Sequence, residues 1–374
     1  MNIFTARPEA ALHLDRRARR NPGVYSAGVS RLTAPVLTEL IESLGLTHPV
    51  TYAVLFLLVS FITLWRLEAM LDEGLEGTAL GTLITPYFSG LGNLLFVFIL
   101  VGHGGLASEV LTNCLVNNVT NFTLLLGIPA LLWGLQIIPK SKGPTAKGKS
   151  KGKKSGAAAA ATAQINRLSL WLTLGAAVFF SVATWIMAKD GHLDRTDGLM
   201  LIVIFLFWQS FQVYDVAKHN VRQRVKFGFM FYVDALVVLA CAWVMYESID
   251  WLVDWLAAQK SGFISAAHLG WLSGWLMVMP NALLALYWGW KKRADVVYTS
   301  QVGDGHVSIP LCLGVYAALM PATVPATFLS GILLLIGAGV LHAFCLLIFG
   351  GLPRWAGVIL VAAYAWFVWD GLLA

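Results

Sequence analysis

Asn113, Asn117 and Asn121 stand four residues apart, a spacing that lines them along one face of an α-helix. Ser300, Asp304 and Ser308 repeat that spacing later in the chain. Amide and hydroxyl oxygens facing one another from two helices, with one carboxylate among them, could ligate a hard cation. Asn93 and Asn281 lie in the segments just before, beside Gly90, Gly92 and Pro280. Helices broken there would free backbone carbonyls as further ligands. Interhelical hydrogen bonding is the plainer use of any one of these side chains. The two matching faces taken together favour a site. Asp234 sits inside an apolar run, where a carboxylate is costly unless paired or hydrated. It is a secondary candidate and could equally be a structural counter-ion. His306 adjoins Asp304 and is the other secondary candidate, whereas His342 reads as a packed core histidine.

Those faces need a membrane to hold them. Of 374 residues, 58% are hydrophobic and only 12% charged, more apolar surface than a soluble chain of this length could hide from water. A bilayer takes such surface, and a helix crosses it in about 20 apolar residues. Apolar runs fall at 50–65, 79–101, 115–138, 168–188 and 199–213, then at 227–246, 270–290, 307–324, 327–349 and 355–373. About ten transmembrane helices in an all-α polytopic protein are therefore expected. Fifteen Trp residues, many near the ends of these runs, suit interfacial belts. Cys114, Cys241, Cys312 and Cys345 lack metal-ligand spacing and read as small core hydrophobes.

The parts outside the spans are basic. Residues 1–48 form an Arg-containing arm, within which 34–46 has the pattern of a short amphipathic helix. Residues 139–167 hold a Lys/Gly/Ala-rich tract expected to be a disordered cytoplasmic loop, and 216–226 a basic connection. The arm and the loop are candidate contacts for membrane-complex partners. Lys and Arg concentrate in alternate connections, beginning with that between the first two runs, which places this set in the cytoplasm. The arm's own Arg residues pull against that orientation. No segment reads as a cleavable signal peptide, and a bacterial inner membrane or its equivalent is the expected location. Nothing in the charge pattern points to nucleic acid. No phosphate-binding G-x-x-x-x-G-K-[ST] loop occurs and no nucleophile–base constellation is visible, so an enzyme is not expected.

The chain also repeats itself. Leu193, Arg195, Gly198 and Leu201 fit the pattern L-x-R-x-x-G-x-x-L, and so do Leu352, Arg354, Gly357 and Leu360. Residues 112–127 and 299–314 align without gaps and end on Gly127 and Gly314. Two matches in the same order divide the chain into five-helix units at 49–215 and 227–374. With an odd number of spans, the second unit enters the membrane upside down, a construction typical of secondary transporters.

These paired segments resemble those of the cation/calcium exchanger superfamily, whose repeats each carry a segment like G-N-x-x-G-S-N-x-x-N. The first copy keeps Asn113, Asn118 and Asn121, and the second keeps Gly303 with Ser300, Asp304, Gly305 and Ser308 at the polar positions. Residues 279–282 are similar to the family's L-P-E-L element, and residues 91–94 form a weaker copy. The resemblance implies two inverted five-helix repeats and a cation antiporter working by alternating access. Asn93 and Asn281 stand where the family has an acid, which leaves Asp304 as the site's carboxylate. The implied transport is therefore of altered selectivity, with sodium, calcium or proton as the moving ion and no resident cofactor. The alternative is a non-transporting subunit that uses the exchanger fold as a scaffold in a larger membrane complex.

Overall fold

The computed structural model describes residues 36–71, 73, 87, 90–104, 107–138, 153–220 and 228–372. Most of the basic arm, the first part of the Lys-rich tract and most of the basic connection lie outside these residues. A short helix α1 (Val36–Ser43) occupies the amphipathic stretch, and α2 (Pro49–Met70) follows. Pro49 opens α2, where its missing N–H costs nothing, and His48 Nδ1 accepts from the Val50 amide at 3.3 Å. Next come α3 (Leu91–His103), α4 (Ala107–Trp133), α5 (Lys153–Ala188) and α6 (Arg195–Asn220). The second half holds α7 (Phe229–Ala257), α8 (Leu269–Trp290), α9 (Ala294–Leu319), α10 (Ala326–Phe349) and α11 (Arg354–Leu372).

Nine helices among the described residues are long and apolar enough to cross a bilayer, and the shorter α3 occupies the place of the second expected span. The chain is an integral multi-pass membrane protein. In hydrocarbon each backbone polar group needs an internal partner, and helices supply it.

Two boundaries differ from the sequence reading for one reason. Both α4 and α9 start well before the apolar runs at 115 and 307, taking in the polar stretches Ala107–Asn113 and Ala294–His306. Their best membrane-length windows are 78% buried, against 50% or less for every other span. Protein, not lipid, surrounds these two helices, so hydropathy understates their length. The Lys/Gly/Ala tract is corrected as well. It is helical from Lys153 onward, since the run Ala157–Ala161 is the strongest helix-forming composition available.

The halves mirror one another in their contacts. Helix α4 packs on α11 while α9 packs on α6, and α5 lies along α10. Each of the first two contacts is closed by a two-residue antiparallel pair: β1 (Leu135–Gln136) after α4 joins β4 (Gly351–Leu352) before α11. Likewise β2 (His192–Leu193) before α6 joins β3 (Ala322–Thr323) after α9. The repeated glycines mark the same crossings. A Cβ at Gly198 would meet the backbone of Ala318, Gly314 and Ala317, and one at Gly357 the backbone of Leu131 and Gly127. The shared L-x-R-x-x-G-x-x-L pattern is thus a packing signature, in which each half's last helix lies on the other half's central helix. All four cysteines are buried and free.

At the edge of this core, α2 and α7 form an extensive pair. Tyr52 stacks on Trp251 with ring centroids 4.0 Å apart, and Arg66 Nη1 lies 3.2 Å from Asp234 Oδ1.

Candidate cation site

The two most buried helices carry the candidate faces. Each is interrupted by a π-helical segment at the equivalent place, Thr120–Leu124 in α4 and Val307–Cys312 in α9. Pro310 lies within the second. Such wide turns redirect side chains and leave irregular backbone hydrogen bonding, and they recur at functional positions. Asn121 and Ser308 lie inside these segments, and Asn117 and Asp304 lie one turn ahead of each.

Asp304 is the hub. It is 4% exposed, and its Oδ2 accepts from Asn121 Nδ2 at 2.9 Å and from Asn281 Nδ2 at 3.0 Å. Asn121 Nδ2 also reaches Asn117 Oδ1 at 3.1 Å, and Asn117 Nδ2 donates to Asn93 Oδ1 at 3.5 Å. Asn93 Nδ2 then donates to Ser308 Oγ at 3.3 Å, and Ser308 Oγ donates to the Asp304 carbonyl at 3.5 Å. Side chains from α3, α4, α8 and α9 therefore form one linked set around a single carboxylate. Asp304 Oδ1 and Asn121 Oδ1 are buried without hydrogen-bond partners. A buried oxygen left unpaired is unfavourable by about 1–3 kcal/mol. Two of them in one cluster are the acceptors that a cation or a proton would satisfy.

The other expected residues go elsewhere. Asn113 Nδ2 donates to Ser273 Oγ at 2.9 Å, in the seam where α4 packs on α8 through Gly270 and Gly274. Ser300 donates to the Val297 carbonyl on its own helix and accepts from Gln301 Nε2. Asp234 forms the ion pair with Arg66 at the α2–α7 edge, apart from the asparagine set. His306 points away from it, with Nε2 2.8 Å from the Thr173 carbonyl and its ring edge-on to Phe180 and Trp208. His342 is packed between Phe122 and Tyr298. Nor is α8 broken at Pro280, since the helix runs on to Trp290. The irregular backbone sits in the π segments instead.

The site has an approach. A cleft of about 900 Å³ among α2, α6, α8 and α9 reaches Asn281, Ser300, Gly303 and Asp304. Its lining takes in residues near the ends of α2, α6 and α8 and the start of α9, with Glu68 among them. A separate cavity of about 30 Å³ lies between Ser60, Thr63, Asn93 and Asn281, room for about one water.

Residues 48–214 match the family model described as sodium/calcium exchanger protein. This match supports a place for the first half of the chain in the cation/calcium exchanger superfamily. Solved structures of the sodium-calcium exchanger NCX_Mj share its fold. One soaked with 100 mM Na+ and 10 mM Sr2+ matches at a TM-score of 0.59 and 14% identity, covering 87% of this chain and 99% of that one. Another, soaked with zero Na+ and Ca2+, matches at a TM-score of 0.57 and 14% identity, over 86% and 98%. Among curated proteins, no sequence matches this chain.

Further polar groups lie close to the linked set. Gln301 Nε2 donates to the Asn281 carbonyl at 3.5 Å, and its Oε1 is buried without a partner. Asn118 Nδ2 donates to the Cys114 carbonyl, which leaves its Oδ1 unpaired against Gly305. Ser60 and Thr63 border the small cavity, although their hydroxyls bond back to their own helix. Gln209 and Gln212, the two amides in the apolar run of α6, stand on the cleft lining.

Proposed function

We propose that the chain is a cation antiporter in which Asp304 alternately carries a monovalent cation and a proton. The observation that carries this reading is the unequal use of the Asp304 carboxylate. Two amides, one from each repeat, fix Oδ2, while Oδ1 has no hydrogen-bond partner. Among the described residues, no Lys or Arg side chain is paired with this carboxylate. An ionised carboxylate at such depth needs a counter-charge, and a protonated one does not. Cation and proton would therefore exclude each other at one group, which is the requirement for antiport.

Charge count sets the selectivity. Amides stand at Asn93 and Asn281, so the linked set holds one formal negative charge. Divalent affinity rises with the number of carboxylates. One carboxylate with neutral oxygens favours an ion of charge +1.

The test is ion movement in proteoliposomes carrying an internal pH dye. Imposed sodium or potassium gradients are expected to move protons in the opposite direction, and Asp304→Asn to abolish that movement. Exchange that survives Asp304→Asn would refute the assignment. Absence of movement with sodium, potassium and calcium alike would favour the non-transporting scaffold.

A further inference from the structure

The cleft that reaches Asp304 has walls that an inorganic ion does not need. Its volume of about 900 Å³ falls in the range of pockets that hold drug-sized molecules. Trp65, Phe205, Trp208, Tyr287 and Trp288 line it, and Gln209 and Gln212 add amides from α6. Small-molecule pockets share this composition, mostly apolar and aromatic with a few polar groups that orient the ligand. At the inner end lies Asp304, nine-tenths buried and with one carboxylate oxygen unpartnered.

Gly303 supplies an independent observation. Glycine within a helix is destabilising relative to alanine, so it needs a local reason. Gly198, Gly270, Gly274 and Gly357 have one, because another helix lies against each. Gly303 has none of that kind. A Cβ there would meet nothing within 4 Å, and its φ lies outside the left-handed region. It stands on the cleft lining next to Asp304. Gly175 and Gly337 also face open space, but the space at Gly303 is on the cleft lining beside Asp304, where a side chain would intrude.

Two of the tryptophans on the lining already face cations. The Arg66 guanidinium lies 3.9 Å from the Trp65 ring centroid, and Arg293 lies 5.7 Å from that of Trp288. Both arginines are also paired with carboxylates, Asp234 and Asp295. The aromatic walls thus lie where an organic cation would find both hydrocarbon contact and π faces.

We infer that the cleft binds an organic monocation, an alkyl- or arylammonium, with its ammonium group at Asp304 and its body along Phe205 and Trp208. This rests on the reading of Asp304 as the cation-or-proton site and names the class of cation.

The experiment uses the full chain in detergent at neutral pH, with binding followed by tryptophan fluorescence and calorimetry. Benzylammonium is the probe, and benzyl alcohol its neutral counterpart of similar shape. Benzylammonium is expected to bind saturably and at least tenfold more tightly than benzyl alcohol. Asp304→Asn is expected to erase that preference. Gly303→Leu, filling open space, is expected to weaken benzylammonium at least tenfold in a protein that remains folded and monodisperse. Equal binding of the two probes would make the cleft a seat for apolar groups or lipid tails and overturn the inference. No benzylammonium binding alongside Asp304-dependent sodium–proton exchange would overturn it while leaving the reading of Asp304 intact. Loss of both activities would overturn both.

Discussion

Gly198→Ala measures how closely the two repeats are joined. The added Cβ would lie 2.3 Å from Ala318 N, 2.7 Å from Gly314 O and 2.8 Å from Ala317 C. All three are backbone atoms of α9, so no side-chain rotation relieves the clash. Restoring ordinary contact at 3.4 Å requires α6 to withdraw from α9 by about 1 Å, in an interior packed without slack. Overpacking of this kind is unfavourable by about 1–3 kcal/mol, and backbone-only contacts put this case at the upper end. Exchanging Gly for Ala in a helix returns about 1 kcal/mol. The net expectation is a loss of about 2 kcal/mol. The assay is denaturant unfolding of the detergent-purified protein, followed by tryptophan fluorescence. Gly357→Ala should match it, because its Cβ would lie 2.5 Å from Leu131 N and 2.7 Å from Gly127 O. Gly337→Ala is the reference, with nothing within 4 Å and an expected gain of up to about 1 kcal/mol. If Gly198→Ala unfolds with Gly337→Ala or after it, the close-approach reasoning is wrong.

Three further outcomes follow from named contacts. Arg66→Met leaves the nearly buried Asp234 without its cation and is expected to lose about 3 kcal/mol, most of it recovered in Arg66→Met/Asp234→Leu, by the same unfolding assay. Glu109→Gln weakens the cap at the start of α8, where Glu109 Oε2 accepts from the Gly270 amide at 2.8 Å, and should lower stability by about 0.5–1 kcal/mol. Asn281→Asp places a second carboxylate against Asp304 and should raise calcium affinity about tenfold in equilibrium binding, with no comparable gain for sodium.

The central contacts were readable because helical spacing and repeat alignment survive in the sequence. Asn117, Asn121 and Asp304 stand at matching places on matching helices, and the structure joins them to Asn93, Asn281 and Ser308. What the sequence concealed has physical causes. Hydropathy measures suitability for lipid, so the protein-enclosed polar starts of α4 and α9 fell outside the apolar runs at 115–138 and 307–324. Spacing locates a residue on a face but not its partner, so Asn113 and Ser300 seemed equal to Asn121 although their bonds lead elsewhere. Pro280 looked like a break, yet α8 runs through it to Trp290, because a helix packed among other helices tolerates a proline in its interior. The Arg66–Asp234 pair joins residues far apart in the chain, and no local pattern announces it.

The crossed strand pairs bear on how the chain reaches its final form. Leu135 and Gln136 emerge early but pair only with Gly351 and Leu352, while His192 and Leu193 await Ala322 and Thr323. The surface of α4 around Gly127 stays open until Gly357 arrives. During synthesis the first repeat is therefore in the bilayer with two clasps unfastened, and α11, made much later, closes the one that holds α4. Membrane insertion and completed folding are separated in time by the making of nearly half the protein, an interval in which the open faces of α4 and α6 lie against lipid or a chaperone.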